Sequence, residues 1–275
     1  QCKRNRASMA DHLMPRASRW RVLRERILRD DGPPSSWPVV LALLVFTPLT
    51  YCTMFLPKNV AEWLVEEEHP IEALGVLGLL AGMVACFVMW WEVRGDPAWP
   101  RLRRLSLFGF GLLLFILAGE EESWGQRLLG IETPPSISEI NAQHETNLHN
   151  LTALHAINSY TLFASLLFAV GVLAPVLALW AGPRRRLEKF MPILPIALST
   201  MFIYNQVLYW GFHRLFIRVP AAYHATFPCT YSLGEIKETF GELVLGLGFV
   251  FILAKRRHHQ RSIAEVLPSA FSTRP

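Results

Sequence analysis

The chain has 275 residues, 52% of them hydrophobic and only 18% charged, with a formal net charge of +5 and a positive mean hydropathy. So apolar a composition excludes an ordinary soluble domain and points to a membrane protein. The Lys and Arg stand in short clusters between apolar runs, which argues against a nucleic-acid surface and makes the basic balance a signal of membrane topology.

Residues 1–36 form a basic tail with nine Lys or Arg, and Arg16 to Arg29 has the pattern of a basic amphipathic helix or a solvated tail. The apolar run after it, from about Trp37 to Leu56, reads as a first span rather than a cleaved signal, since about 20 residues cross the hydrocarbon. A second span is expected from near Ile71 to near Trp91, with Glu72 in its first turn. A third runs from about Leu105 to Ala118 and continues, with no break in helical pattern, into Glu120, Glu121 and Glu122.

Ser136 and Glu139 have the spacing of a capping box, so a short interfacial helix is expected after Pro134-Pro135. A fourth span is expected over about Leu154 to Trp180, with a kink at Pro175, a fifth over Met191 to Ile217 and a sixth over Ile236 to Ala254. Helix is the structure such lengths allow, because backbone polar groups in lipid pair within their own segment. The fold expected is therefore all-α, with six transmembrane helices over residues 37–254 and a C-terminal tail over 255–275.

The tail, the loops Arg94 to Arg104 and Arg184 to Lys189 and the C-terminal tail hold 22 of the 27 Lys and Arg. The positive-inside rule then puts both termini in the cytoplasm of a bacterial-type inner membrane, and 14 of the 22 acidic residues on the other face. The four cysteines, Cys2, Cys52, Cys86 and Cys229, are scattered and imply neither a disulfide framework nor a CxxC metal site.

The stretch Gly119 to Asn150 carries six Glu, two His, three Asn and two Gln between apolar runs. With Glu72, His213, Glu235, Glu238 and Glu242 it puts ionisable groups at one depth near the outer ends of five spans. On helical spacing Glu235, Glu238 and Glu242 share a face, as do Gln206, Trp210 and His213, and Glu120, Ser123 and Arg127. Glu145 and His149 stand at i, i+4 at the start of the fourth span, and Glu122 faces Gln126. Charged groups that penetrate a span usually face the bundle interior, and Glu72, Glu242, Asn205 and Gln206 are the ones that penetrate.

Two chemistries suit this set. Glu72, Glu121, His149 and Glu238 have the donor types for a divalent metal such as zinc or manganese. Alternatively Glu121, Glu122, His149, His213 and Glu242 act as general acids and bases, with Asn147, Asn150, Gln126 and Arg127 orienting them. The bland alternative is a polar network that only locks the helices. A hydrolase or transferase acting on a lipid or lipid-linked substrate at the outer face is the leading expectation. An ion-coupled carrier, or a structural subunit docking a protein partner through its outer face, are the alternatives.

The strings GEEESWGQRLLGIETP and INAQHETNLHN, with the Glu67 to Glu72 pattern and the Glu-rich start of the last span, resemble an uncharacterised group of bacterial multi-pass membrane proteins. That resemblance implies the architecture and no activity. A looser similarity is to the CAAX-protease and bacteriocin-processing intramembrane proteases, which carry paired Glu followed by Arg, then FxxxH and HxxxN. Here four residues separate Glu122 from Arg127, Tyr209 replaces the Phe before His213, and His155 to Asn158 is HxxN. The similarity extends to mechanism only, as does one to the alkaline-ceramidase-like zinc hydrolases.

Overall fold

The computed structural model describes residues 34–65, 69–141, 144–148, 151–155, 159–218 and 230–271; at some of these, including Arg127 and His155, it describes the backbone alone. The described residues are helical, with one isolated bridge between Asn141 and Leu151 and no strand. The long elements are α1 (Trp37–Cys52), α3 (Pro70–Val93), α4 (Arg101–Glu121), α11 (Ile196–Phe216) and α12 (Thr230–Phe271). Shorter helices are α2 (Lys58–Val65), α5 (Gln126–Leu129), α6 (Pro135–Ser138), α7 (Thr152–His155), α8 (Ser159–Phe168), α9 (Ala174–Leu177) and α10 (Ala181–Leu187).

Among the described residues, three stretches are long and apolar enough to cross a membrane: Trp37–Phe55, Lys58–Val93 and Arg101–Glu121. They are apolar on their outer faces as well, where Leu41, Val45, Leu77 and Leu105 are each about 60% exposed, the pattern of a helix surrounded by apolar material on all sides. The other three expected spans depart from a uniform apolar helix for reasons the residues give. The fourth is broken by a π-helical turn over Ala169–Leu173, beside Pro175, which lacks the N–H that would reach Gly171. The fifth carries Asn205, Gln206, His213 and Arg214, and the sixth carries Lys237, Glu238 and Glu242.

Helix α12 joins two apolar clusters. On one side Leu233, Ile236 and Phe240 pack with Tyr51 and Met54 of the first stretch and Leu198 of α11. On the other, Leu245 and Phe249 pack with Leu79, Cys86 and Met89 of α3 and with Leu107 and Leu114 of α4. The contact between α3 and α12 is made backbone to backbone. Gly75, Gly78 and Gly82 lie at i, i+3 and i+7, and a Cβ on Gly78 would stand 2.6 Å from the Leu243 Cα and one on Gly82 2.8 Å from the Gly246 Cα. Such small-residue stripes let helices approach closely where lipid gives no hydrophobic drive between them. The pairs Gly75 with Glu242 and Glu92 with Arg256 make α3 and α12 parallel, while Gly82 with Leu114 and Phe87 with Gly111 make α4 antiparallel to α3.

At 42 residues α12 is about 63 Å long, twice the thickness of a bilayer's hydrocarbon. The sixth span is expected to end at Ala254, but the helix runs on to Phe271. Its basic continuation begins where Arg256 and Arg257 both pair with Glu92, at 3.1 and 3.2 Å. The expected N-terminal amphipathic helix and the run Glu66 to Glu68 lie outside the described residues.

Candidate functional site: a buried carboxyl cluster under a polar loop

The register of the helices assembles the cluster. Leu114 of α4 packs at Gly82, and seven residues further along α4, in the direction opposite to α3, Glu121 comes level with Gly75. There Glu242 of α12 enters from the third helix. It is 1% exposed, and its Oε2 occupies the space that a Cβ on Gly75 would take, so a side chain there would have to displace this carboxyl. Glu121 lies within hydrogen-bonding range of Glu242, and Glu72 and Glu238 are close enough to act on it electrostatically. Glu72 is itself buried one turn before Gly75, and Glu238 stands one turn before Glu242 on α12.

Two features of this cluster carry chemical meaning. Glu121 and Glu242 could share a hydrogen bond only with one of them protonated, because an ionised carboxylate only accepts. The Oε1 of Glu242 is buried with no hydrogen-bond partner. Among the described residues, Arg103 Nε is the other such side-chain atom. Buried polar groups are nearly always satisfied, so an exception is a candidate for function.

Above the cluster, α4 ends abruptly. Its expected continuation as helix is a correction: Ser123 and Trp124 take left-handed backbone angles, φ 41° and 58°, and the chain turns back on itself through Gly125. Ser123 and Arg127 therefore do not continue the face of Glu120. Glu145 and Asn147, expected at the start of the fourth span, instead lie outside any helix within the described residues 144–148, and the next helix starts at Thr152. The capping box also fails, since Pro134 occupies the N-cap, Pro135 opens a helix of four residues, and Ser136 makes no cap.

The loop is held by a dense network. Glu145, 5% exposed, accepts from the Ser123 hydroxyl and from Asn147 Nδ2 at 3.0 Å. Asn147 also donates to Ser123 Oγ at 3.0 Å, and Asn141 Nδ2 donates to the Asn147 Oδ1 at 2.9 Å. Gln126 Oε1 accepts from the Thr146 amide and hydroxyl, at 2.8 and 2.7 Å. Glu120 serves the loop rather than the cluster. It accepts from the Trp124 indole at 2.8 Å and from the Leu148 amide at 2.5 Å, which ties the loop to the end of α4.

The structure thus brings Glu72, Glu121, Glu238 and Glu242 together and makes Asn147 and Gln126 parts of the loop above. His213 is not part of this group. Asn205 is level with Lys237, its Nδ2 donating to the Lys237 carbonyl at 2.8 Å, and α11 runs antiparallel to α12, with Leu194 against Gly248. His213 and Glu242 lie in opposite directions from that level, about 20 Å apart along the bundle. His213 instead lies against Tyr209, with ring centroids 5.5 Å apart and the planes tilted by 38°. Glu122 ends α4 as its C-cap. His149, Asn150 and Asn158 lie outside the described residues, as do the side chains of Arg127 and His155.

The metal expectation fares less well. Among the described residues no three His, Cys, Asp or Glu side chains are arranged to hold a metal ion, and His149 of the expected zinc or manganese set lies outside them. Sequence reasoning gave no weight to Asn141, to the glycine stripe or to Tyr51, whose hydroxyl donates to Asn205 Oδ1 at 2.9 Å. Glycines at i, i+3 and i+7 in an apolar helix were the available signal. No family model matches the chain, and neither a curated protein nor a solved structure matches it.

Proposed function

We propose that the protein is a six-span inner-membrane enzyme, both termini cytoplasmic, that uses Glu121 and Glu242 as a general acid–base pair on a lipid or lipid-linked substrate at the non-cytoplasmic face. The observation that carries this reading is the Glu242 carboxyl, fully buried, within hydrogen-bonding range of Glu121, with one oxygen unpartnered. The three apolar stretches support the membrane setting, and the one-sided basic clusters support the orientation.

The chemistry follows from a pair that holds one proton between two carboxyls. As water attacks an ester carbon, the ionised member takes a proton from the water. The protonated member gives its own to the leaving alkoxide as the ester C–O bond breaks. Acid and alcohol leave, and the pair again holds one proton, ready to repeat. With an alcohol in place of water the same steps transfer the acyl group.

The test is turnover by the full chain in nanodiscs made from a bacterial lipid extract, followed by mass spectrometry. The wild type is expected to convert one lipid class, and Glu242→Gln and Glu121→Gln to abolish the conversion. Unchanged conversion in both variants would refute the reading. The polar residues Asn205, Gln206, Lys237 and Glu238 on facing helices favour a second reading, a proton-coupled carrier. It predicts pH-driven solute uptake into proteoliposomes and no lipid product.

A further inference from the structure

A groove of about 470 Å³ opens on the side of the bundle between α8, the π-helical turn, α11 and α12. Its volume falls in the range of about 300 to 1,000 Å³ of small-ligand pockets. Leu167, Val172 and Phe202 form its floor and walls, and Gly241 leaves its α12 side low. Phe168, Ile203, Val207 and Trp210 along its mouth are each more than half exposed, so the groove opens toward whatever surrounds the bundle. The π turn shapes the wall: Gly171 packs flat on the Phe202 ring, and a Cβ there would stand 2.6 Å from it.

The polar groups are gathered in one place. Lys237 and Glu238 project from α12 and pair at 3.6 Å, and the Lys237 ammonium lies 5.0 Å from the Tyr209 ring. Gln206 joins them from α11. Asn205 is fully engaged between Tyr51 and the Lys237 carbonyl, and it fixes the backbone that carries Lys237. A paired Lys and Glu present no strong net charge. What the Lys237 ammonium and the Gln206 carboxamide add to an apolar groove is N–H donors, which suit the oxygens of a neutral ester.

We infer that this groove binds one acyl chain of a membrane ester lipid, with the chain along the apolar wall and the ester at Lys237 and Gln206. Glu238 then stands between the bound ester and Glu242, one helical turn away. The inference rests on the proposed function for the link to Glu242, while the binding stands apart from it.

The experiment uses the full chain in nanodiscs doped with a phosphatidylcholine that carries a diazirine in one acyl chain, photolysed and mapped by peptide mass spectrometry. Labelling is expected to concentrate on peptides holding Phe168, Phe202 and Trp210. An unlabelled ester lipid should compete, and its ether analogue, which lacks the carbonyl, should compete about tenfold less well, the loss of one charge-assisted hydrogen bond. Ala164→Trp at the mouth and Lys237→Met at the polar end should each lower the labelling, the first by filling space and the second by removing the donor. Uniform labelling of all outward helices, equal competition by ester and ether lipids, or no response to either variant would overturn it. Full labelling in Glu242→Gln with no turnover by the wild type would defeat the acid–base reading alone. Full turnover in Ala164→Trp would defeat the groove alone.

Discussion

Glu242 and Glu145 are both carboxyls withdrawn from water, at 1% and 5% exposure, yet their surroundings differ in kind. Glu145 sits in a loop where Ser123, Asn147 and Asn141 are turned toward one another, and it accepts two side-chain hydrogen bonds. Glu242 lies between three helices with one oxygen against Gly75 and the other unpartnered. A buried group whose bonds are all made contributes to stability, and one left open costs stability. Under the proposed function, the loop holds the site and the Glu cluster carries the chemistry.

The largest effect that would break this contrast is on activity. Glu242→Gln should lower turnover by about 10² to 10⁴, the usual worth of a positioned acid or base, while Glu145→Gln should keep turnover at temperatures where it stays folded. Equal losses in the two would erase the distinction. Next comes Gly246→Val, whose side chain would run into the Gly78 backbone. Overpacking of this kind costs about 3 kcal/mol, read as a loss of folded protein in detergent. A smaller loss, about 2 kcal/mol, is expected for Glu145→Ala, which strands the Ser123 and Asn147 donors. It should appear as faster hydrogen exchange over residues 141–148. Smallest is Glu92→Gln at the far end, where exposed pairing with Arg256 and Arg257 is worth below about 1 kcal/mol and should fade with salt.

Much of the helical frame was legible because apolar runs of about 20 residues leave few other structures, and the penetrating Glu72 and Glu242 stood out against them. The loop was not legible. A Glu-Ser-Trp-Gly run continues a helical pattern on paper, and nothing in Ser123 or Trp124 announces a left-handed backbone; Gly125 alone hints at it. The common depth assumed for His213 failed for a related reason. Helix–helix register is set by which residues let backbones touch, and those were the glycines of α3 and α12. Once Gly75 is placed against Glu242, the approach of Glu121 follows from helix geometry.

The most direct measurement is the thermal unfolding of Glu242→Gln in nanodiscs beside the wild type and Glu145→Gln. A carboxyl that is buried for chemistry and poorly satisfied should be replaced by a neutral amide with its Tm unchanged or raised, while Glu145→Gln melts lower. If Glu242→Gln lost as much stability as Glu145→Gln, Glu242 would be one more structural member of the bundle, and the assignment of the cluster to chemistry would be wrong.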